Sequence, residues 1–226
     1  MEIKPKYSLH DGYSEGAHPA IIEAFTRTNL SQQRGYGDDG SCEDARQAIR
    51  RLIGADEASS YFTPGGTGAN ILSIASHLRP HEAVISTGSG HIVGKKAGAI
   101  EATGHQVLVE PSANGKLTPE KIQSAFHRSS LFAYQPKAKM VFISNATELL
   151  LLMDGARLDT VLASPKSDMT MRDVFGLADA FWIGGTKNCA LLGEAVVIKD
   201  PSFGTQFPYH MNQRGALLAK GKVLGI

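Results

Sequence analysis

Three short segments combine residue types that could do chemistry. The first is Thr63-Pro64-Gly65-Gly66-Thr67-Gly68-Ala69-Asn70. Glycines let a backbone approach an anion closely, the Thr67 hydroxyl can donate a hydrogen bond, and free N–H groups at a helix start point outward with the positive end of the dipole. Such a segment can cradle a phosphate. No lysine follows as in a Walker loop, and the glycines do not match a dinucleotide fingerprint; a plain strand-to-helix turn would use the same residues. The second segment is Met153-Asp154-Gly155-Ala156-Arg157-Leu158, directly after an apolar run. A carboxylate at that place could hold a cationic ring nitrogen, and Arg157 could fork onto a carboxylate. Equally, Asp154 could cap a helix and Arg157 could lie on the surface. The third is Ile183-Gly184-Gly185-Thr186-Lys187-Asn188. Small residues around one lysine leave room for a bulky group on its amine, and a desolvated amine is available for Schiff-base chemistry. A surface lysine in a glycine turn has the same local sequence.

The elements that must position these segments alternate along the chain. Pro19 opens a helix whose apolar face is Ile21, Ile22 and Phe25. Residues 43–53 read as an amphipathic helix stopped by Gly54. Ser60-Tyr61-Phe62 is a short strand, followed by the glycine-rich turn and a helix through Leu78. Ala83–Ser86, Gln106–Glu110, Met140–Ser144, Leu150–Met153, Ala180–Ile183 and Ala195–Ile198 read as buried strands, with helices near 94–102 and 118–127. This alternation predicts an α/β fold with a mostly parallel sheet, in which ligands bind beyond the carboxyl ends of the strands. All three segments stand at such an end. The pattern breaks once. Asn145–Leu149 alone separates two apolar runs that both look like core strands, and a parallel crossover usually takes roughly a dozen residues or more. Either the two runs pair antiparallel, or a crossover helix has been lost near Leu149-Leu150.

Composition narrows the function classes. The chain has 226 residues, is 42% hydrophobic and 20% charged, and carries a net charge of +1. That is enough apolar mass for a core, and no basic or acidic run suggests a nucleic acid or a membrane surface as partner. Residues 1–12 contain no apolar leader and no stretch is long and apolar enough to span a bilayer. Two widely separated cysteines, Cys42 and Cys189, make no disulfide framework, so a cytoplasmic location is expected.

A phosphate cradle, an acid for a ring nitrogen and an amine for an aldehyde form the set of groups that pyridoxal 5'-phosphate requires. At this point the chain resembles a family, the low-specificity threonine aldolases among the β-eliminating lyases. The resemblance rests on Asp11-Gly12-Tyr13-Ser14-Glu15-Gly16-Ala17-His18-Pro19, Gly35-Tyr36-Gly37-Asp38-Asp39, Gly66-Thr67-Gly68-Ala69-Asn70, Gly90-His91-Ile92, Ala97-Gly98-Ala99-Ile100-Glu101, Ile143 through Glu148, Asp154 through Leu158, Gly184 through Asn188 and Gly193-Glu194-Ala195. It implies the large domain of the aspartate-aminotransferase-like fold, fold type I, over residues 1–226, with about residues 1–40 contributing to the site and to a dimer interface.

The resemblance also implies roles. Lys187 would bond to the cofactor aldehyde, Asp154 would pair with the pyridine nitrogen, and Gly66, Thr67 and Gly68 would cradle the phosphate. His91 would stack on the ring near the substrate hydroxyl; without the resemblance it reads as a histidine satisfied at the edge of the core. Arg157 would lie near the cofactor or the substrate carboxylate, Tyr36 would build the site across the dimer interface, and His10 would contact substrate. The implied reaction splits the Cα–Cβ bond of a β-hydroxy-α-amino acid such as threonine into glycine and acetaldehyde, in a homodimer or homotetramer. No metal is expected.

The chain departs from that family where relatives carry a Gly-Thr-Val-Tyr turn and a helix, between Leu149 and Leu150. The resemblance implies a smaller C-terminal domain beyond Ile226, which is expected to be absent here. Lys96 stands where they have Glu, Asn212 where they usually have Lys, and Cys189 where Gly is usual. These departures keep open another amino-acid enzyme of the same fold, acting by β-elimination or transamination, or a non-catalytic homologue.

Overall fold

The computed structural model describes residues 12–112, 114–142 and 149–226. In chain order the first elements are α1 (Pro19–Thr28), α2 (Gly40–Ile53), β1 (Ser59–Thr63), α3 (Gly66–His77), β2 (Glu82–Thr87), α4 (His91–Gly94) and β3 (Val107–Glu110). They continue with α5 (Pro119–Ser129), β4 (Lys137–Phe142), β5 (Leu150–Met153), α6 (Leu158–Leu162), α7 (Met171–Leu177), β6 (Ala180–Gly184) and β7 (Glu194–Ile198). Three short helices close the chain, α8 (Pro201–Gly204), α9 (Phe207–Gln213) and α10 (Lys222–Gly225). The seven strands form one sheet in the order β1-β7-β6-β5-β4-β2-β3. Only β7 runs against its neighbours, β1 and β6; the other pairings are parallel. This is the mostly parallel α/β sheet that the alternating pattern predicts.

The sheet is covered on both faces, and the two-residue period of each strand divides the core. Ile85, Val141, Leu151, Phe181 and Val197 point to one face, against Ile49 and Ile53 of α2, Ile122 of α5 and Val174 of α7. Their neighbours point the other way. Val84, Met140 and Leu152 meet Ile74 of α3 and Ile92 of α4, and Trp182, Val196 and Ile198 meet Leu72 of α3 and Phe207 of α9. Strands buried on both faces read as continuous apolar runs, which is why they stand out in the sequence.

Local signals fix the helix ends. Asp39 caps α2 by accepting from the Cys42 N–H at 2.9 Å, and Gly54 ends that helix at φ 69°. Thr170 and Asp173 cap α7 reciprocally. That Thr-x-x-Asp signal is present in the sequence, yet the apolar periodicity around it is too short to announce a helix.

Two expectations need correction. The helix predicted near 94–102 does not form. The structure has only the single turn of α4 and a 3-10 turn at Glu101–Thr103. Between them Ala97 (φ 49°) and Gly98 (φ 73°) are left-handed in succession, which no right-handed helix can pass through. The antiparallel alternative for the two apolar runs is also excluded, because Met140, Val141 and Phe142 pair in parallel with Leu150, Leu151 and Leu152. The ladder is short enough to explain this. Residues 143–149 can reach about 23 Å when extended, whereas passing back along three residues and over to the next strand takes roughly 10–15 Å. Residues 143–148 themselves lie outside the described residues, as does His10.

Of the face predicted for α1, Ile21 and Phe25 are half-buried and Ile22 is 47% exposed, and no residue of α1 is fully buried by the described residues. No helix among the described residues is long and apolar enough to cross a membrane.

Leu152 is fully buried where β5 lies between β4 and β6. Leu152→Ala is expected to cost about 2–5 kcal/mol in urea unfolding, the usual range for a truncated core leucine. A cost below about 1 kcal/mol would mean that this strand does not sit in the core.

Candidate active site

Strand direction brings the three segments together. β1, β5 and β6 point the same way, because β1 and β6 both run opposite to β7. Thr63, Met153 and Gly184 therefore end at one edge of the sheet. β2 also ends there, and its exit leads through Gly90 to His91. The antiparallel β7 begins at that edge with Glu194.

Asp154 is held in place from two sides. Its Oδ1 accepts from the Ala156 N–H at 3.2 Å and its Oδ2 from Asn70 Nδ2 at 3.2 Å. Asn70 is fully buried, and its Oδ1 accepts from the Trp182 indole N–H at 2.9 Å. An indole nitrogen can only donate, so the amide of Asn70 is oriented with its NH2 toward Asp154. The carboxylate is thus kept as an acceptor, in the form that could pair with a protonated ring nitrogen. His91 Nδ1 lies 3.7 Å from Asp154 Oδ2, with 45% of the imidazole exposed. Burial, first, and the nearby Lys96 and Lys187 hold the imidazole below its ordinary value, against the opposing pull of Asp154. A neutral ring is the form that can take up a proton.

Lys187 sits on a tight turn between β6 and β7. The N–H groups of Gly185 and Thr186 both reach the Gly193 carbonyl, at 3.0 and 3.2 Å, and Asn188 N–H closes onto Gly185 O at 2.9 Å. The amine lies 5.7 Å from the centre of the Tyr13 ring. Two glycines press this turn onto the Asp154 segment. A Cβ on Gly184 would come 2.5 Å from the Ala156 carbonyl oxygen, and one on Gly155 would come 1.5 Å from that of Trp182. Cys189 has φ 66°, which is the conformation that favours glycine.

The glycine-rich turn opens α3, which has no side-chain cap. A Cβ on Gly66 would strike the Trp182 ring at 2.6 Å, whereas Gly65 and Gly68 face open space. Together with Arg214, Gly215 and Ala216 these residues line a shallow depression at the helix start. Thr67 Oγ1 accepts from Lys96 Nζ at 3.0 Å. The depression has the room, the uncapped N–H groups and the neighbouring cation that a phosphate group needs.

Glu194 is a site residue that motif reading passes over. It is buried, and it accepts from Gly185 N–H at 2.8 Å and Thr186 Oγ1 at 3.0 Å, as well as from the Gly66 backbone. It therefore ties the lysine turn to the cradle. Burial, outweighing these donors, raises its carboxyl above the ordinary value. Its sequence neighbourhood, Gly193-Glu194-Ala195, gives no sign of such contacts.

The remaining candidates separate. Arg157 is exposed at the start of α6, with its guanidinium against Gly12, and forms no ion pair among the described residues. Tyr36 (φ 61°, 61% exposed) faces a different groove, with Cys42, Arg46, Tyr61 and Leu224. That groove includes none of Lys187, His91 and Asp154.

The β-eliminating lyase family profile matches residues 11–150. A low-specificity L-threonine aldolase of a Pseudomonas species is 30% identical over 241 residues, covering 95% of this chain and 68% of its own length. The Leishmania major threonine aldolase structure superposes with a TM-score of 0.92 at 39% identity, over 97% of this chain and 70% of that one. An aspartate aminotransferase of Thermus thermophilus superposes at TM-score 0.67 and 12% identity, over 93% of this chain and 61% of that one; this likeness concerns the fold type I architecture alone.

The balance of charges on His91 can be checked by NMR titration. Its midpoint is expected below the usual 6.5. It should fall further in Asp154→Asn, which removes the group favouring the charged ring, and rise in Lys96→Met, which removes a repelling cation.

Proposed function

The chain belongs to the β-eliminating lyase family and is a carbon–carbon lyase of the threonine-aldolase type with pyridoxal 5'-phosphate as cofactor; we propose that it cleaves threonine or allo-threonine to glycine and acetaldehyde. The observation that carries this reading is the convergence of Asp154, Lys187, His91 and the glycine cradle on one edge of the sheet.

The residues fit the cofactor. The depression at the start of α3 would take the phosphate, with the Gly66–Gly68 backbone and the Thr67 hydroxyl as donors. Asp154, fixed as an acceptor by Asn70 and Ala156, would hold the pyridine nitrogen in its protonated form. Lys187 would supply the amine that bonds to the aldehyde and then gives way to the amino group of substrate. When bound, the cofactor supplies the electron sink for the pair left on Cα as the Cα–Cβ bond breaks.

The chain's own groups then account for the proton and the orientation. His91, kept neutral near pH 7 by its surroundings, takes the proton of the β-hydroxyl, directly or through a water it positions. Loss of that proton drives the carbonyl of the departing aldehyde to form. Arg157, a guanidinium without an ion-pair partner among the described residues, is assigned to the substrate carboxylate or the cofactor. Tyr36 and His10 are assigned to the substrate side. Tyr36 lies apart from Lys187 within one chain, so it would act across a subunit boundary in a homodimer or homotetramer. Residues 1–226 form the large, cofactor-binding domain of this reading, and a cytoplasmic location goes with it.

Borohydride treatment with added pyridoxal phosphate, followed by peptide mapping, is expected to fix the cofactor on Lys187. A separate, unreduced sample with added pyridoxal phosphate should convert L-threonine to glycine and acetaldehyde in equal amounts. Lys187→Ala should lower turnover by more than about a thousandfold, and His91→Asn by roughly a hundredfold or more. A keto acid as product would instead identify a transaminating enzyme.

A further inference from the structure

We propose that Lys96 is a ligand of the cofactor phosphate in this chain, a cation built into the cradle beside Thr67. The proposal rests on the pyridoxal-phosphate reading above and adds a residue to which that reading gives no role.

Lys96 is 91% buried by residue, 9% of it being exposed. The chain delivers it inward by an uncommon route. The left-handed pair Ala97 (φ 49°) and Gly98 (φ 73°) follows directly, and Ala99 N–H closes onto Lys96 O at 2.9 Å. A left-handed alanine costs about 1 kcal/mol or more, so the bend that buries Lys96 is held against local preference.

Its contact defines the chemistry. The ammonium has three donors and no acceptor, so in the 3.0 Å pair with Thr67 the hydroxyl oxygen must accept. The Thr67 proton is then free to be donated outward to an anion. Thr67 is the only hydrogen-bond partner of the Lys96 amine among the described residues, and no carboxylate of those residues lies within 4 Å of it. Asp154 and Glu194 pull on it from further away, and Lys187 repels it. The two remaining donors of the ammonium have no partner among the described residues, and desolvation already disfavours its charged form, so a close counter-ion would stabilise it. A phosphate beside Thr67 would meet both donors and receive the Thr67 proton as well.

The test compares pyridoxal phosphate with pyridoxal, which has the same ring and aldehyde and no phosphate. Both are titrated into the full chain and into Lys96→Met and Lys96→Arg. Binding is read from the fluorescence of Trp182, the single tryptophan, whose indole packs against the cradle. Lys96→Met is expected to lose roughly ten- to a hundredfold in affinity for pyridoxal phosphate, the range for one charge-assisted bond. It should bind pyridoxal within about threefold of the unchanged chain, and Lys96→Arg should keep most of the phosphate preference.

Equal weakening of both ligands would overturn the proposal in favour of a structural role, and so would unchanged affinity for both. Borohydride fixation of pyridoxal phosphate on Lys96 would overturn it in favour of a nucleophilic role. Failure of the cofactor reading looks different: the unchanged chain would then form no adduct on Lys187 with either aldehyde.

Discussion

Gly184 N–H donates to the carbonyl of Gly155 at 3.0 Å, and at neither glycine would the opposing backbone leave room for a Cβ. This close approach of the loops leaving β5 and β6 sets the candidate site. It places the carboxylate of Asp154 one residue from Gly155 and the amine of Lys187 three residues from Gly184, on neighbouring strands. Any side chain at Gly155 would force Trp182 to move. Trp182 in turn orients Asn70, which orients Asp154, and its ring also lies where Gly66 admits no side chain. One indole therefore couples the acid, the cradle and the β6 strand that carries the lysine.

The electrostatics of this edge are unfinished within the protein alone. Lys96, Lys187 and His91 repel one another, while Asp154 and Glu194 are engaged by Asn70, Ala156, Gly185 and Thr186. A dianionic group with an aldehyde at its other end would complement this arrangement. Its phosphate would neutralise the cations near Thr67 and its aldehyde would engage the amine of Lys187. Burial, reinforced by the same cations, holds His91 below its ordinary value, so these charges favour both anion binding and proton uptake.

The chain spans about two thirds of the length of the Pseudomonas relative, and it joins β4 to β5 through few residues. The parallel ladder there is only three residues long, so the return path is short and the order of the sheet is kept. Because β4, β5 and β6 all pair in parallel, Asp154 reaches the same edge as Lys187. The site depends on strand order and direction.

How much was legible in advance follows from the range of the interactions. The apolar runs specify β2 and β4 to β7, because strands buried on both faces need apolar side chains at successive positions, whereas the edge strands β1 and β3 carry polar or exposed ones. Gly54 ends α2 by its own left-handed conformation, and Pro19 opens α1, so these ends also follow from single residues. Gly66-Thr67, Asp154 and Gly184 through Lys187 are identifiable because a phosphate cradle, a ring-nitrogen acid and an amine each require particular residue types. Other features depend on partners far apart in the chain. Glu194 bonds to Gly185 and Gly66, Lys96 reaches back to Thr67, and Tyr36 turns toward a separate groove. Ala97 and Gly98 break a helix that periodicity favours, because tertiary packing holds the backbone where local preference would not. The sequence by itself therefore determined the elements and the residue types of the site. Tertiary structure alone decided which of those residues meet, since charge pairing and steric exclusion act through space between segments that no local pattern connects.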